Sequence, residues 1–175
     1  DYKTKDLREF IHPYEIRFQR NGLNAKEIFS GKRCLDAGCG NGRGAFFMLQ
    51  NGAEFVEMID VSENNLQSSQ NFALELGFSN KINVQKSTLE SIPFEDEEFD
   101  FVWCNGVIMH AEKPNQCLAE ISRVCKRFGH SWLYVYGAGG LYWKVIYRFR
   151  DLLSDIDVLE AIKYLKYFRY SPRYV

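Results

Sequence analysis

The sequence has few histidines and prolines and no large excess of either charge. It contains three histidines and four prolines in 175 residues, and its formal net charge at pH 7 is −1. A net charge so close to zero argues against a protein that binds nucleic acid through a broad basic surface. Because histidine is scarce, we also expect no zinc site of the cysteine–histidine kind and no other bound metal.

Long apolar runs are absent as well. No uninterrupted apolar run reaches the length of a membrane-spanning helix, and no signal peptide opens the sequence. The sequence begins with Asp1, so the loss of a targeting segment from that end stays open. The five cysteines are an odd number, and most lie in apolar runs, which favours free buried thiols in a reducing compartment. We therefore expect a cytoplasmic protein without an integral membrane segment.

What the sequence does have is a glycine-rich stretch at residues 34–44. Its glycines are Gly38, Gly40, Gly42 and Gly44. The residues just before them, 33–37, predict a buried strand, and the apolar residues 45–49 predict a helix. A strand, a glycine loop and a helix in this order bring bare backbone and a helix N-terminus close to a nucleotide-like ligand.

The rest of the chain alternates between predicted strands and helices. Strands are predicted at residues 33–37, 55–61, 82–86, 99–104 and 131–136, and helices at 42–51, 63–76 and 114–125. This alternation predicts an α/β fold, a Rossmann-like, doubly wound and mostly parallel sheet in a three-layer αβα arrangement. Before the first strand, residues 6–30 predict two or three short helices, divided at Pro13 and Gly22, with Pro13 in the first turn of one of them.

The charge in the glycine loop bears on the kind of ligand. Gly40, Gly42 and Ala45 match a loose form of the dinucleotide fingerprint, and Asp60 ends the second strand at a distance suited to hydrogen-bonding ribose hydroxyls. However, Asp36 comes just before the first glycine, where its carboxylate would repel a pyrophosphate. The same carboxylate would attract a ligand with an ammonium and a sulfonium group.

Four segments together resemble the class I S-adenosylmethionine-dependent methyltransferases, in particular the type 11 domain. Residues 35–42 (Leu-Asp-Ala-Gly-Cys-Gly-Asn-Gly) resemble motif I of that family, and residues 92–102 resemble its acidic turn into the fourth strand. Residues 105–110 resemble the loop after that strand, and residues 120–129 are similar to its "EI-RVLKPGG" segment. The resemblance runs from residue 35 to residue 136, in the family's order.

The resemblance implies that the cofactor is S-adenosylmethionine and assigns roles to particular residues. Asp36 and the backbone of Gly38, Cys39 and Gly40 would hold the methionine part of the cofactor. Asp60 would accept hydrogen bonds from both ribose hydroxyls, and Val61 would pack on the adenine.

Three further residues complete the implied cofactor site. Thr88 and Leu89 would flank the adenine edge, although the family often has an acid where this chain has Thr88. Asn105 lies at the tip of the fourth strand, where its carbonyl would approach the cofactor's amino group.

His110 is the candidate catalytic residue by its placement just beyond the fourth strand. A base is useful where the methyl acceptor is a hydroxyl that must lose its proton, and histidine titrates in the required range. The alternative is that His110 only shapes the pocket or hydrogen-bonds the backbone. His12, Tyr14 and Arg17 are weaker candidates for lining the site from the N-terminal helices.

The acceptor itself is expected to be a small molecule or biosynthetic intermediate. No extra acidic cluster follows the fourth strand, as metal-dependent catechol transfer would need. The loop at residues 105–108 also lacks the Asn/Asp-Pro-Pro-Tyr/Phe signature of enzymes that methylate amino groups of nucleic acids. Two other readings remain: a non-catalytic S-adenosylmethionine-binding regulatory module, and a nicotinamide-dependent oxidoreductase. The sequence leaves the oligomeric state open.

The predicted domain boundaries follow from these motifs. Residues 1–140 would form the methyltransferase domain with its N-terminal helices, and residues 141–175 a helical tail dense in aromatic and basic residues. The tail is expected to pack on the domain as an amphipathic helix pair, with a substrate lid, a membrane-surface contact or a dimer face as alternatives. Nothing after residue 140 resembles the family's closing β-hairpin, so we expect that hairpin to be missing.

Overall fold

The computed structural model describes residues 7–137 together with Lys144, Arg148 and Asp151. The chain divides into two compact units, Asp1–Tyr136 and Gly137–Val175. The predictions for the tail at 141–175 and for a missing hairpin after residue 140 lie outside the described residues. Across the part of the chain that the structure describes, no helix has both the length and the apolar character that crossing a bilayer requires.

The first unit alternates between helices and strands after an N-terminal helical segment. Its helices are α1 (Leu7–Arg20), α2 (Ala25–Phe29), α3 (Arg43–Gln50), α4 (Glu63–Leu76) and α5 (Pro114–Val124). Its strands are β1 (Arg33–Ala37), β2 (Phe55–Asp60), β3 (Ile82–Lys86), β4 (Phe99–Asn105) and β5 (Cys125–Tyr134). One-turn 3-10 helices occupy Ser79–Lys81 and Ile108–His110.

The five strands form one parallel sheet in the order β3-β2-β1-β4-β5. The predicted Rossmann-like α/β fold is therefore confirmed. The chain winds outward from β1 to β3 and then returns to place β4 on the other side of β1. In such sheets, ligands bind beyond the carboxyl ends of the strands at the point where the winding reverses. Here that point lies between β1 and β4, where Asp36 pairs with Trp103 in register.

The face of the sheet that carries α1 to α4 has a core rich in aromatic rings. Phe18 of α1 packs on Phe29, Phe47 and Trp103 with ring centres 4.9–6.0 Å apart. Trp103 in turn stacks on Trp132 of β5, with ring centres 5.3 Å apart and planes 10° from parallel. Such ring pairs contribute about 0.5–1.5 kcal/mol each beyond area burial. These contacts fix the position of α1 against β4 and β5.

The opposite face is covered by α5 and has a mainly aliphatic core. Leu35, Val102 and Ile121 are buried there. With both faces covered, the central strands are apolar nearly throughout, as parallel strands between two helical layers must be.

The prediction for Pro13 is wrong, because Pro13 lies well inside α1 and neither starts nor ends a helix. An internal proline costs about 3 kcal/mol through a lost hydrogen bond and a clash with the preceding turn. The buried side chains of α1 are Phe10, Ile11, Tyr14 and Phe18. Each contributes about 1.5–3 kcal/mol by leaving water, which offsets that cost. Gly22, with φ of 65°, does separate α1 from α2 as predicted.

The start of the fifth strand also differs from the prediction. The strand predicted at residues 131–136 is β5, which begins at Cys125 and ends at Tyr134. Phe99 pairs with Cys125 whereas Phe101 pairs with His130, so the register shifts between these two pairs. Gly129 permits the irregular path, because a Cβ at that position would lie 2.9 Å from the carbonyl oxygen of Asp100.

Arg123 holds the acidic turn before β4 against α5. Its guanidinium donates to the carbonyl oxygens of Ile92 and Phe94 at 2.9 and 2.7 Å. It also pairs with the carboxylates of Glu120 at 2.8 Å and Asp96 at 2.9 Å. The planar guanidinium serves several acceptors at once, which a lysine could not do.

We expect Arg123→Ala to lower the free energy of unfolding by about 2–3 kcal/mol, because it leaves two carbonyl oxygens and two carboxylates without their charged donor. Chemical denaturation measures this change. Arg127→Ala is the matched control, since Arg127 is exposed on the irregular part of β5, and it should change stability by less than about 0.5 kcal/mol. Equal effects of the two substitutions would contradict the role given to Arg123.

Candidate functional site

The glycine loop after β1 is anchored on the end of β2. The backbone N–H groups of Gly38 and Cys39 both donate to the carbonyl oxygen of Ile59, each at 2.9 Å. Gly38 has φ of 78°, and a Cβ there would lie 2.6 Å from Cγ2 of Val107. Glycine is therefore required at position 38, and the loop after β4 packs directly on it. Gly40 has open space where a side chain would be, so a ligand could approach its Cα.

Asp60 at the end of β2 joins the glycine loop to the start of α4. Its Oδ2 accepts from the N–H of Gly40 at 2.8 Å, and its Oδ1 accepts from the N–H of Ser62 at 2.9 Å and from Nδ2 of Asn65 at 3.2 Å. The side chain is largely buried, with 8% of the residue exposed. A carboxylate accepts about four hydrogen bonds, so Oδ2 retains capacity for a ligand hydroxyl. Next to it, Val61 is 61% exposed and offers an apolar surface.

Asp36 lies beneath the first turn of α3. It is 2% exposed, and its Oδ2 accepts from the N–H of Ala45 at 2.7 Å. A Cβ on Gly44 would lie 2.8 Å from that oxygen, so the close approach needs glycine at position 44. Burial raises the pKa of Asp36 to about 7, the bond from Ala45 acts in the opposite direction, and the charge of Asp60 adds to the increase. Because Asp36 is almost fully buried, it would act on a ligand through its charge and not by direct contact.

Asn105 ends β4 in a polar contact with α1 and β5. Its Oδ1 accepts from Nη1 of Arg17 at 3.1 Å and from Nε1 of Trp132 at 3.2 Å. The Arg17 guanidinium also lies 4.3 Å from the centre of the Tyr134 ring. α1 therefore reaches the carboxyl end of β4, where ligands bind in folds of this kind.

Tyr14 lies beside this contact. Its ring packs on Trp103 with centres 4.9 Å apart, and burial raises the pKa of its hydroxyl to about 12, with the charge of Asp36 adding to the increase. Tyr14 and Arg17 are thus placed next to the predicted site. His12, by contrast, is exposed and pairs with Glu15 at 3.2 Å.

The segment after β3 lies beside Asp60, and its two predicted site residues, Thr88 and Leu89, differ in burial. The N–H of Ser87 donates to the backbone oxygen of Asp60 at 3.1 Å. Thr88 is exposed and forms a bridge with Ser91. Leu89 is only 5% exposed and packs in the aliphatic core, so its backbone is the part that can flank a ligand.

His110 ends the 3-10 helix that follows β4. Its backbone N–H donates to the carbonyl oxygen of Val107 at 2.9 Å, and its side chain is exposed. Because Val107 packs on Gly38, the segment that carries His110 adjoins the glycine loop. No bond joins the imidazole to another predicted site residue within the described part of the chain.

Several contributors were not recognised in the sequence. Asn65 and Trp132 hold Asp60 and Asn105, and no local pattern marks either of them. Arg43, in the first turn of α3, lies 4.8 Å from the ring centre of Phe10 and has a buried Nε without a hydrogen-bond partner among the described residues. The position of Arg43 directly after Gly42 is the sequence feature that could have identified it as a candidate site residue.

Two cavities lie elsewhere, along α1. One of about 330 Å³ is lined by residues that include Arg8, His12 and Gln50, and one of about 450 Å³ by residues that include Leu23 and Asn51. Neither is lined by the glycine loop. Among the described residues, no three His, Cys, Asp or Glu side chains are grouped so that they could hold a metal ion.

The parallel sheet, with its glycine loop at the point where the winding reverses, has the architecture of a nucleotide-binding α/β domain. The methyltransferase domain family model matches residues 35–133. That match covers more than half of the chain, and the chain belongs to this family.

Relatives and solved structures agree with the assignment. The chain is 33% identical to the ubiquinone biosynthesis O-methyltransferase of Hahella chejuensis, over 70% of this chain and 48% of that protein. It is 31% identical to the sarcosine/dimethylglycine N-methyltransferase of Aphanothece halophytica, over 57% of this chain and 36% of that protein. The crystal structure of the YcgJ protein from Bacillus subtilis matches with a TM-score of 0.59 at 25% identity, over 67% of this chain and 47% of that one. The chain thus spans at most about half the length of these proteins.

The raised pKa of Asp36 makes stability depend on pH. The unfolded carboxyl loses its proton near pH 3.8 and the folded one near pH 7, so between these values the folded state holds more protons. The free energy of unfolding should therefore fall as pH rises through this window, by about 4 kcal/mol from this group. Chemical denaturation at several pH values gives the free energy of unfolding of the wild type and of Asp36→Asn. The difference between the two proteins at each pH measures the contribution of the Asp36 carboxyl. A difference that stays constant from pH 4 to 7 would contradict the burial of an ionisable Asp36.

Proposed function

We propose that this chain binds S-adenosylmethionine at the glycine loop and transfers the cofactor's methyl group to a small-molecule acceptor by in-line displacement. The observation that carries the proposal is the pair of buried carboxylates, Asp36 and Asp60, that hold the glycine loop and the start of α3, with open space beside the Cα of Gly40. They suit a ligand with positive charge and a ribose.

The residues present fit this cofactor part by part. Oδ2 of Asp60 would accept from a ribose hydroxyl, and the exposed Val61 would pack on the adenine, whose edge Thr88 and the backbone of Leu89 would flank. The methionine part would lie along the backbone from Gly38 to Gly40. There the carbonyl of Asn105 would approach the ammonium group, and the nearby charge of Asp36 would favour the cation.

A dinucleotide fits the same residues less well. Its pyrophosphate would lie near Asp36 and Asp60, and like charges at short range are unfavourable. This supports the sulfonium cofactor over a nicotinamide one. A non-catalytic binding module would use the same cofactor contacts, and it differs from the enzyme only in transferring no methyl group.

The chain's own groups would act mainly by binding and orientation. S-adenosylmethionine supplies a methyl group already activated on sulfur. Holding an acceptor in line with it can contribute about 7–11 kcal/mol to lowering the barrier. For a hydroxyl acceptor, His110 would take the departing proton.

A small biosynthetic acceptor is supported by the names of the relatives, one an O-methyltransferase of ubiquinone biosynthesis and one an N-methyltransferase of sarcosine and dimethylglycine. The near-neutral net charge of −1 supports a partner other than nucleic acid. All five cysteines are free and four are buried, which supports a cytoplasmic, reducing location.

Asp60→Asn should weaken binding of S-adenosylhomocysteine by about 10–100-fold, because a charged acceptor for the ribose hydroxyls is lost. Calorimetric titration measures the dissociation constant. Glu63→Gln is the matched control, since Glu63 is exposed and pairs with Lys86, and its binding should equal that of the wild type. Tight binding of NAD without any response to S-adenosylmethionine would overturn the proposal.

His110→Ala should leave cofactor affinity within about threefold and lower turnover by about 10²–10⁴-fold, as expected for the loss of a general base. The measurement is transfer of labelled methyl from the cofactor to a metabolite extract. His130→Ala, at an exposed position in β5, is the control and should behave as the wild type. Unchanged turnover in His110→Ala would remove this residue from catalysis.

A further inference from the structure

The orientation of one side-chain amide at the end of β4 bears on which atom receives the methyl group. The relatives include both an O-methyltransferase and an N-methyltransferase, so the family leaves the acceptor atom open. Asn105 lies at the tip of β4, next to the loop whose Val107 packs on Gly38.

The amide of Asn105 can adopt only one orientation in its contact. Its two partners, Nη1 of Arg17 at 3.1 Å and Nε1 of Trp132 at 3.2 Å, are both hydrogen-bond donors that cannot accept. Oδ1 must therefore face them, and Nδ2 must face the other way. Rotating the amide by 180° would put its NH₂ group against a guanidinium and an indole N–H.

Both partners are themselves held firmly. Trp132 stacks on Trp103 and on Phe18, with ring centres 5.3 and 5.1 Å apart. The Arg17 guanidinium lies on the Tyr134 ring, 4.3 Å from its centre. The orientation of the amide is thus set by three elements, α1, β4 and β5.

Nδ2 is left as an unused donor. Among the described residues it has no acceptor, and it is not one of the buried unpaired polar atoms, of which Arg43 Nε is the only example. The donor is therefore accessible, at the carboxyl edge of the sheet beside the glycine loop.

We infer that Nδ2 of Asn105 donates to the methyl-accepting atom and that this atom is an oxygen, as in a hydroxyl, phenol or carboxylate. This inference rests on the proposed function. An oxygen acceptor keeps spare lone pairs for an N–H donor, and such a donor stabilises the oxyanion that attacks. An amine has one lone pair, which the methyl group needs, and its N–H groups require acceptors.

The transfer then balances in atoms and charge. An oxygen lone pair forms the new C–O bond, and the C–S bond breaks with its electron pair passing to sulfur. For a hydroxyl or phenol, the acceptor proton leaves to His110 or to water. Arg17 and Trp132 are positioning residues, because they act only through the amide.

The first test identifies the product. The wild-type chain is incubated with S-adenosylmethionine labelled with carbon-13 in the methyl group and a small-molecule extract, and NMR distinguishes a methyl on oxygen from a methyl on nitrogen. A methyl ether or ester supports the inference, and a methylamine overturns it. If S-adenosylhomocysteine binds but no methyl is transferred, the proposed function fails and this inference with it. That result is distinct from a methylamine product.

The second test is Asn105→Asp, which keeps an oxygen for Arg17 and Trp132, replaces the NH₂ donor and adds a negative charge. Turnover should fall on the order of 10²-fold, with the affinity for S-adenosylhomocysteine within about threefold of wild type. Unchanged turnover would overturn the inference, and so would a fall in turnover that only follows a loss of cofactor affinity.

Two further variants guard against a purely structural effect. Asn71→Asp makes the same chemical change on exposed α4, where Oδ1 also accepts from a neighbour, Nε2 of Gln67 at 3.1 Å. It should leave turnover and the affinity for S-adenosylhomocysteine unchanged. Trp132→Phe retains the ring stack but removes one of the two donors that orient the amide, and it should lower turnover severalfold at unchanged cofactor affinity. Wild-type turnover in Trp132→Phe would remove Trp132 as a positioning residue.

Discussion

The carboxylate of Asp60 is the interaction on which the site depends. It receives the N–H of Gly40 from the glycine loop and the N–H of Ser62 from the start of α4, so one side chain joins β1, β2 and the next helix. Each of these bonds is charge-assisted and therefore stronger than a neutral hydrogen bond. With both oxygens directed by backbone donors, the remaining acceptor capacity is held in place before a ligand arrives. The same group thus shapes the glycine loop and the start of α4.

A second constraint is the aromatic packing that places α1 over the sheet. Phe18 joins α1 to Trp103 and Trp132, and these rings keep Arg17 within reach of Asn105. The polar contact at the tip of β4 therefore rests on an apolar one beneath it. A loss of packing in this core would change the orientation of the Asn105 amide at the carboxyl edge of the sheet, because close-packed interiors transmit small displacements.

The electrostatics of the site follow from the burial of two neighbouring carboxyl groups, those of Asp36 and Asp60. Burial and the charge of Asp60 both raise the pKa of Asp36, and a single backbone donor at Ala45 only partly compensates. A positively charged ligand would reduce the repulsion between the two carboxylates, whereas a polyphosphate would increase the local negative charge. The two carboxylates therefore give the loop a negative charge, and the glycines leave space beside the backbone.

The sequence alone determined the fold class and the order of elements, because those depend on local signals. The helix at residues 63–76 has the predicted ends, since Ser62 caps its start and Gly77 its end through bonds to nearby residues. Only the tertiary structure decided that α1 continues through Pro13, that β5 shifts register, that the side chain of Leu89 turns into the core and that the amide of Asn105 faces Arg17 and Trp132. Each of these outcomes depends on partners distant in the chain, 88 positions in the case of Arg17 and Asn105, and no local pattern encodes such a contact.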